Sequence, residues 1–273
     1  MRPRKTITKK YSFLLRPWRA AALNFALGFL IVSVPTHAEP PSAHFSMFST
    51  DEISLYDLLP KTTNGKVIEK PLEVTSPSGK QKFIFPNGWP DDRYTFFAIN
   101  GKVRRPIVAD VFVNPYLMWS PYSPAAFVVY SDSGAMGGYH TLLITFDKGA
   151  VQVAEPTRQI GREFFDYFEK LGLTCIGGRE SDKKFGIDIN FYPIRWFDSS
   201  HALFAAEIVG HSICDCYGSF RGYKIELPSG KVVQAFDQAR VKKEFGSNLG
   251  RSLVMAPNNN WDRDPKSCEP RGQ

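Results

Sequence analysis

Beyond residue 65 the chain breaks into short apolar runs punctuated by turn residues, a pattern that predicts a strand-rich body. In two places apolar residues recur at every second position: Leu142, Ile144 and Phe146, and Tyr223, Ile225 and Leu227. Such alternation predicts strands that bury one face. Residues 66–85 hold two shorter strand candidates around the turn Ser76-Pro77-Ser78-Gly79. In one segment the period changes. Ile160, Phe164, Phe168 and Leu171 fall on one helical stripe, widened by Phe165, and the stripe reads as core. Thr157 is placed to cap this helix, Pro156 blocks its extension backwards, and Gly172 stops it. Residues 51–59 predict one short helix capped by Asp51, after a poorly ordered lead-in that contains Pro40, Pro41 and Ser42.

Two stretches, 111–171 and 187–249, look like copies of each other. Each opens with an apolar strand that leads to a tryptophan, Trp119 or Trp196, with a phenylalanine eight residues on, Phe127 or Phe204. A glycine-containing hairpin loop follows, then the alternating strand, then a glycine turn: Asp147-Lys148-Gly149 in one copy and Pro228-Ser229-Gly230 in the other. Each copy ends in a helix, in which Ile160 and Phe164 line up with Val241 and Phe245. The offset between copies grows from 77 residues at the tryptophans to 81 at the alternating strand. The second copy therefore carries four extra residues, and they fall in its second hairpin loop, beside Cys214-Asp215-Cys216.

The unit Trp119-Ser120-Pro121-Tyr122-Ser123-Pro124, running into Phe127, resembles one blade of a TolB-type or WD40-like β-propeller. In the second copy Phe197-Asp198 replaces the Ser-Pro of that turn. Trp89-Pro90-Asp91-Asp92, with Phe97 eight residues on, is a third and truncated echo, because Trp119 follows it too soon for a whole blade. A closed propeller takes about four blades or more, and each copy here adds a helix. The fold expected is mainly β with added helices (α+β): a duplicated strand-rich unit, each copy ending in a helix, arranged as propeller-like blades or as open antiparallel sheets.

The first 38 residues change the reading of charge. Arg2, Arg4, Lys5, Lys9, Lys10, Arg16 and Arg19 precede an apolar stretch over 20–34, and Thr36-His37-Ala38 ends in a small residue. This is the order of a secretory signal cleaved after Ala38, and the apolar stretch is short for a membrane span. No cysteine stands near the cleavage point to take a lipid, and no twin-arginine pair is present. The full chain has 34 basic and 27 acidic residues and a formal charge of +7. The signal carries seven of the basic residues and none of the acidic ones, so residues 39–273 are neutral overall. Nothing global then draws the exported part to nucleic acid or to anionic lipid. The absence of any Asn-x-Ser/Thr sequon tilts the expectation to a bacterial periplasmic or secreted protein. Within the exported part, 39–65 reads as a lead-in, 66–252 as the β-rich domain and 253–273 as a tail.

Cys175, Cys214, Cys216 and Cys268 all survive cleavage, and an even count in an oxidising compartment reads as two disulfides. A bridge across Asp215 alone is strained, so Cys214 and Cys216 are each expected to pair with a distant partner. Zinc on His211, Cys214 and Cys216 is the weaker alternative, because that spacing is not a structural zinc pattern. No catalytic motif appears. Ser131-Asp132-Ser133-Gly134 is turn composition rather than a nucleophile elbow. His140 reads as a half-buried strand residue and His201 as a turn residue. Asp91, Asp92 and Asp110 offer only the carboxylate pairs that any chain of this length offers. Neither Asp262 with Asp264 nor the glycine pairs at 137–138 and 177–178 completes a calcium or phosphate loop. The residues expected to bind something are aromatic and apolar residues of the hairpin loops: Tyr122, Met136, Tyr139, Tyr217 and Phe220. Together these features predict an exported, non-catalytic binding protein without cofactor or metal, whose partner is a protein of the same compartment. The alternatives left open are an exported hydrolase with loop-borne acid and base residues, and a structural envelope component.

Overall fold

The computed structural model describes residues 47–59, 61–65, 70–86, 94–109, 113–131, 138–170, 189–208 and 218–256. All of them belong to the unit His44–Gln273. Strands dominate, and they form three antiparallel sheets, none of them closed. The first sheet holds β2 (Leu72–Thr75), β3 (Gln81–Phe85), β4 (Tyr94–Asn100) and β5 (Val103–Ala109) in chain order. The second holds β6 (Val113–Trp119), β7 (Ala125–Ser131), β8 (Tyr139–Asp147) and β9 (Ala150–Ala154), with the two-residue β1 (Ile53–Ser54) added beside β6. The third holds β10 (Ile189–Trp196), β11 (His201–Ile208), β12 (Phe220–Glu226) and β13 (Lys231–Phe236). Helix α1 (Thr157–Lys170) follows the second sheet, and α2 (Gln238–Phe245) and α3 (Arg251–Met255) follow the third.

The sheets stack face to face. Leu117, Ala126, Val128, Leu142, Ile144 and Phe146 turn one face of the second sheet to the first, where Phe83, Phe85 and Phe96 receive it. Met118, Phe127 and Leu143 turn the opposite face to the third sheet, against Phe191, Trp196 and Phe204. The outer face of the third sheet, with Ile194, Leu203 and Phe236, is covered by Val241 and Phe245 of α2, by Leu253 of α3 and by Phe48. Two layers are therefore buried on both sides. The alternation at Leu142, Ile144 and Phe146 predicts one buried face, yet Leu143 between them is also buried. Ala125 to Val129 and Ala202 to Ile208 read as near-continuous apolar runs for the same reason.

Several local expectations hold. The turn at 76–79 joins β2 to β3 in register, with Val74 opposite Phe83. Ile160 and Phe164 are fully buried on α1, while Phe168, Leu171 and Gly172 lie outside the described side chains. Asp237 caps α2 by accepting a hydrogen bond from the amide of Arg240 at 2.7 Å. The connection between β7 and β8 spans 132–138 and that between β11 and β12 spans 209–219, four residues longer.

Two expectations are corrected. Residues 51–59 do not form a helix. Ile53 pairs with Leu117, and the amide of Leu55 donates to the carbonyl of Pro115, so the backbone hydrogen bonds go to β6 instead of closing locally. The first sheet is a complete four-stranded meander, not a truncated unit, and Phe97 lies on its third strand; Trp89 is outside the described residues. Residues 47–52 form a strap across the third sheet. The amides of Gly250 and Ser252 donate to the carbonyls of Phe48 and Met47, and Ser49 Oγ donates to the carbonyl of Ile194. A Cβ at Gly250 would run into the backbone of Met47 and Phe48, so this approach requires glycine.

Candidate functional site

An antiparallel meander sends alternate connections to opposite ends. One end of the second and third sheets carries the connections 132–138 and 209–219. The amide of Tyr139 donates to Asn190 Oδ1 at 3.0 Å, and Thr141 Oγ1 donates to the carbonyl of Phe191 at 2.9 Å. These bonds stitch the start of β8 to the start of β10, so both connections leave from the same end. The opposite end carries the short turns after β6, β8, β10 and β12.

Beneath the loop end lies a buried cluster of rings and carboxyl groups. Phe48 of the strap stacks on Tyr192 with centroids 3.6 Å apart and meets Tyr139 edge-on at 4.9 Å and Tyr116 at 5.5 Å. Tyr192 is fully buried, and its hydroxyl donates to Glu207 Oε2 at 2.9 Å. Glu207 is only 8% exposed. It stands near the end of β11, between Asn190 on β10 and Phe220 on β12. Glu52 accepts the amide of Phe48 at 2.9 Å and so closes the strap on itself. Asn114, which has a positive φ of 46° beside the bulge of β6, hydrogen-bonds Tyr139.

Burial sets the electrostatics of this cluster. It pushes the Glu207 carboxyl up to about 7, against the hydrogen bonds from Tyr192 and Asn190 that favour its charged form. It also pushes Glu52 up to about 7, against the amides of Phe48, Met47 and Ser49. Burial raises Tyr139 and Tyr192 as well, and the nearby carboxylates reinforce the shift. The phenols therefore stay neutral, while each carboxyl is poised to take or release a proton near neutrality.

The residues singled out in the sequence divide between the two ends. Tyr139 (8% exposed) and Phe220 (0%) do not sit in exposed loops. They are the first residues of β8 and β12 and point into the core, because each occupies an inward position of its strand. Tyr122 is 53% exposed but lies at the turn end, between β6 and β7. Met136, Tyr217, Cys175, Cys214, Cys216, Cys268 and the aspartates at 91, 92 and 110 lie outside the described residues. His140 is exposed rather than half-buried, with its ring beside Tyr130.

The turn between β10 and β11 brings together Asp198, Ser200 and His201, the residue types of a hydrolytic triad. The geometry excludes that chemistry. Ser200 Oγ at 3.1 Å and Asp198 Oδ1 at 3.0 Å both meet His201 Nδ1, so the imidazole cannot relay a proton from one to the other through its two nitrogens. The amide and hydroxyl of Ser200 hold the Asp198 carboxyl down at about 2, as expected of a turn-forming aspartate.

The members of the loop-end cluster that sequence reasoning missed are Phe48, Glu52, Asn114, Tyr116, Asn190, Tyr192 and Glu207. One signal was available: Glu207 is the only charged residue between Leu203 and Ile208 in an otherwise apolar run. Compared with known proteins, the chain matches no family model, no curated protein and no solved structure.

Proposed function

We propose that the chain is an exported binding protein that engages another protein through the loop end of its second and third sheets. The observation that supports this reading is that β7, β8, β11 and β12 all begin or end at one end of the second and third sheets, beside the packed rings of Phe48, Tyr116, Tyr139 and Tyr192. Loops on a rigid scaffold are the usual carriers of recognition. The ring stacking and strap hydrogen bonds beneath them limit the ordering cost of binding. In this reading the signal is removed after Ala38, and Cys175, Cys214, Cys216 and Cys268 form two disulfides that restrain the longer loop. The two four-stranded meanders, each followed by a helix, are copies of one blade-like unit. Equivalent residues support that origin: Phe127 and Phe204 are both fully buried on second strands, and Ile160 and Phe164 match the buried Val241 and Phe245.

Cross-linking and affinity capture from the native exported fraction test the proposal. One stoichiometric protein partner is expected. Replacing 132–137 by a Gly-Ser segment of equal length abolishes its capture while the fold persists. Equal capture by the loop-replaced protein overturns the assignment of this end. Intact mass checks the export reading: the chain begins at Glu39 and is four hydrogens lighter than its reduced form.

The carboxyl cluster favours a second reading, an exported hydrolase. Glu207, with Tyr192 at 2.9 Å, has the environment of a general acid. Hydrolysis of a screened ester, glycoside or peptide substrate that falls with an apparent pKa near 7, and is lost in Glu207→Gln, is the result that would establish it.

A further inference from the structure

The strap 47–52 is fastened to the body by a few bonds and one stack. The amides of Gly250 and Ser252 donate to the carbonyls of Phe48 and Met47 at 2.8 and 2.9 Å. Ser49 Oγ donates to the carbonyl of Ile194 at 2.6 Å. Phe48 lies on Tyr192 with centroids 3.6 Å apart. Each member of this stack meets a carboxyl group. Glu52 Oε1 accepts the amide of Phe48, and Glu207 Oε2 accepts the hydroxyl of Tyr192. The other titratable groups that act on this cluster are the phenols of Tyr116 on β6 and Tyr139 on β8, and Asp57, which is itself an acid. No described lysine, arginine or histidine pairs with either carboxyl. Lys242 of α2 donates to the carbonyl of Ala256, and Arg195 of β10 donates to Asn248. Arg251 of α3 is exposed, and Arg221 of β12 stacks on Tyr167.

We infer that residues 47–52 form a pH-controlled latch: with Glu52 and Glu207 protonated the strap stays closed over Tyr139 and Tyr192, and their ionisation drives it to lift away. A carboxylate in this cluster gives up water and gains no cation in return, so its charge is penalised while the strap is closed. Lifting Phe48 wets the stack and relieves that penalty. Burial raises both carboxyls from 4.5 to about 7. Between these values the closed strap keeps a proton that the open one has released, so opening becomes easier as pH rises through the interval and levels off above it. From pH 5 to pH 7.5 one such carboxyl alone favours opening by more than about tenfold. The latch does not depend on the function proposed for the neighbouring loops.

Hydrogen exchange of the full-chain protein, followed by NMR at pH 5 and pH 7.5 with each rate divided by its intrinsic value at that pH, tests the latch. The amides of Gly250 and Ser252 report on it, because the strap's own carbonyls hold them. Their protection is expected to fall by about tenfold or more, and further than that of the slowest amides of β7 and β8. Glu52→Gln and Glu207→Gln are each expected to shrink this fall. Equal protection of Gly250 and Ser252 at the two pH values in the unmodified protein overturns the inference. So does a fall that matches that of the slowest amides, because the strap then opens only with the whole fold. Neither result depends on a variant folding.

Discussion

Replacing Glu207 by Gln is expected to flatten the dependence of stability on pH. In the unfolded chain this carboxyl ionises near 4.5, whereas burial holds it neutral up to about 7 in the folded state. Below 4.5 it is neutral in both states and contributes no difference. Between 4.5 and 7 the unfolded chain has released the proton and the folded protein still binds it, so stability falls as pH rises. Above 7 the folded state ionises too, and the loss levels off. The interval from 4.5 to about 7 corresponds to about 3 kcal/mol. That is a large fraction of the roughly 5–15 kcal/mol by which a domain is stable. Gln cannot ionise, so the variant lacks this loss. Its amide nitrogen needs an acceptor, and a missing one lowers the whole curve by about 1–3 kcal/mol without changing its slope. Urea unfolding at intervals from pH 4 to pH 8.5, followed by tryptophan fluorescence, separates slope from offset. A Glu207→Gln curve parallel to that of the unmodified protein over this range would refute the assignment of a buried, neutral carboxyl.

Further changes test the remaining structure. Glu52→Gln is expected to flatten the same curve to a similar degree, since burial raises its carboxyl to about 7 as well, and the double variant should be nearly flat from pH 5 to pH 8. Trp196→Ala should cost about 3–5 kcal/mol in urea unfolding, because the ring is buried between two sheets. Trp119→Ala should cost less, because Trp119 is only partly buried. Phe48→Ala should free the strap, and hydrogen exchange should rise first at the amides of Thr50, Gly250 and Ser252, whose bonds join it to the segment 248–252. Gly230→Ala should lower the melting temperature strongly: Gly230 has a φ of +70°, and a Cβ there would meet the carbonyl of Pro156.

Much of the architecture was legible because strands and helices announce themselves through local periodicity. The turn at 76–79, the helix at 157–170 and the strands around Leu142 and Tyr223 are all read from neighbours within a few positions. The correspondence between 111–171 and 187–249 is likewise a property of the sequence, down to the four-residue difference between the hairpin connections. What only the tertiary structure decided is how the sheets meet. Period-two alternation assigns one buried face, and it cannot say that Leu143 and Phe127 also find a cover in the third sheet. Local pattern cannot identify the short strand at 53–54, because its hydrogen-bond partners lie some sixty residues further on, in β6. The candidate site was hidden for the same reason. Glu52, Tyr139, Tyr192 and Glu207 are scattered over 156 positions, and only Glu207, a charge inside an apolar run, stands out among its own neighbours. Packing of the strap and two sheets removes water from them together, and that shared burial raises both carboxyls and joins the four residues into one cluster.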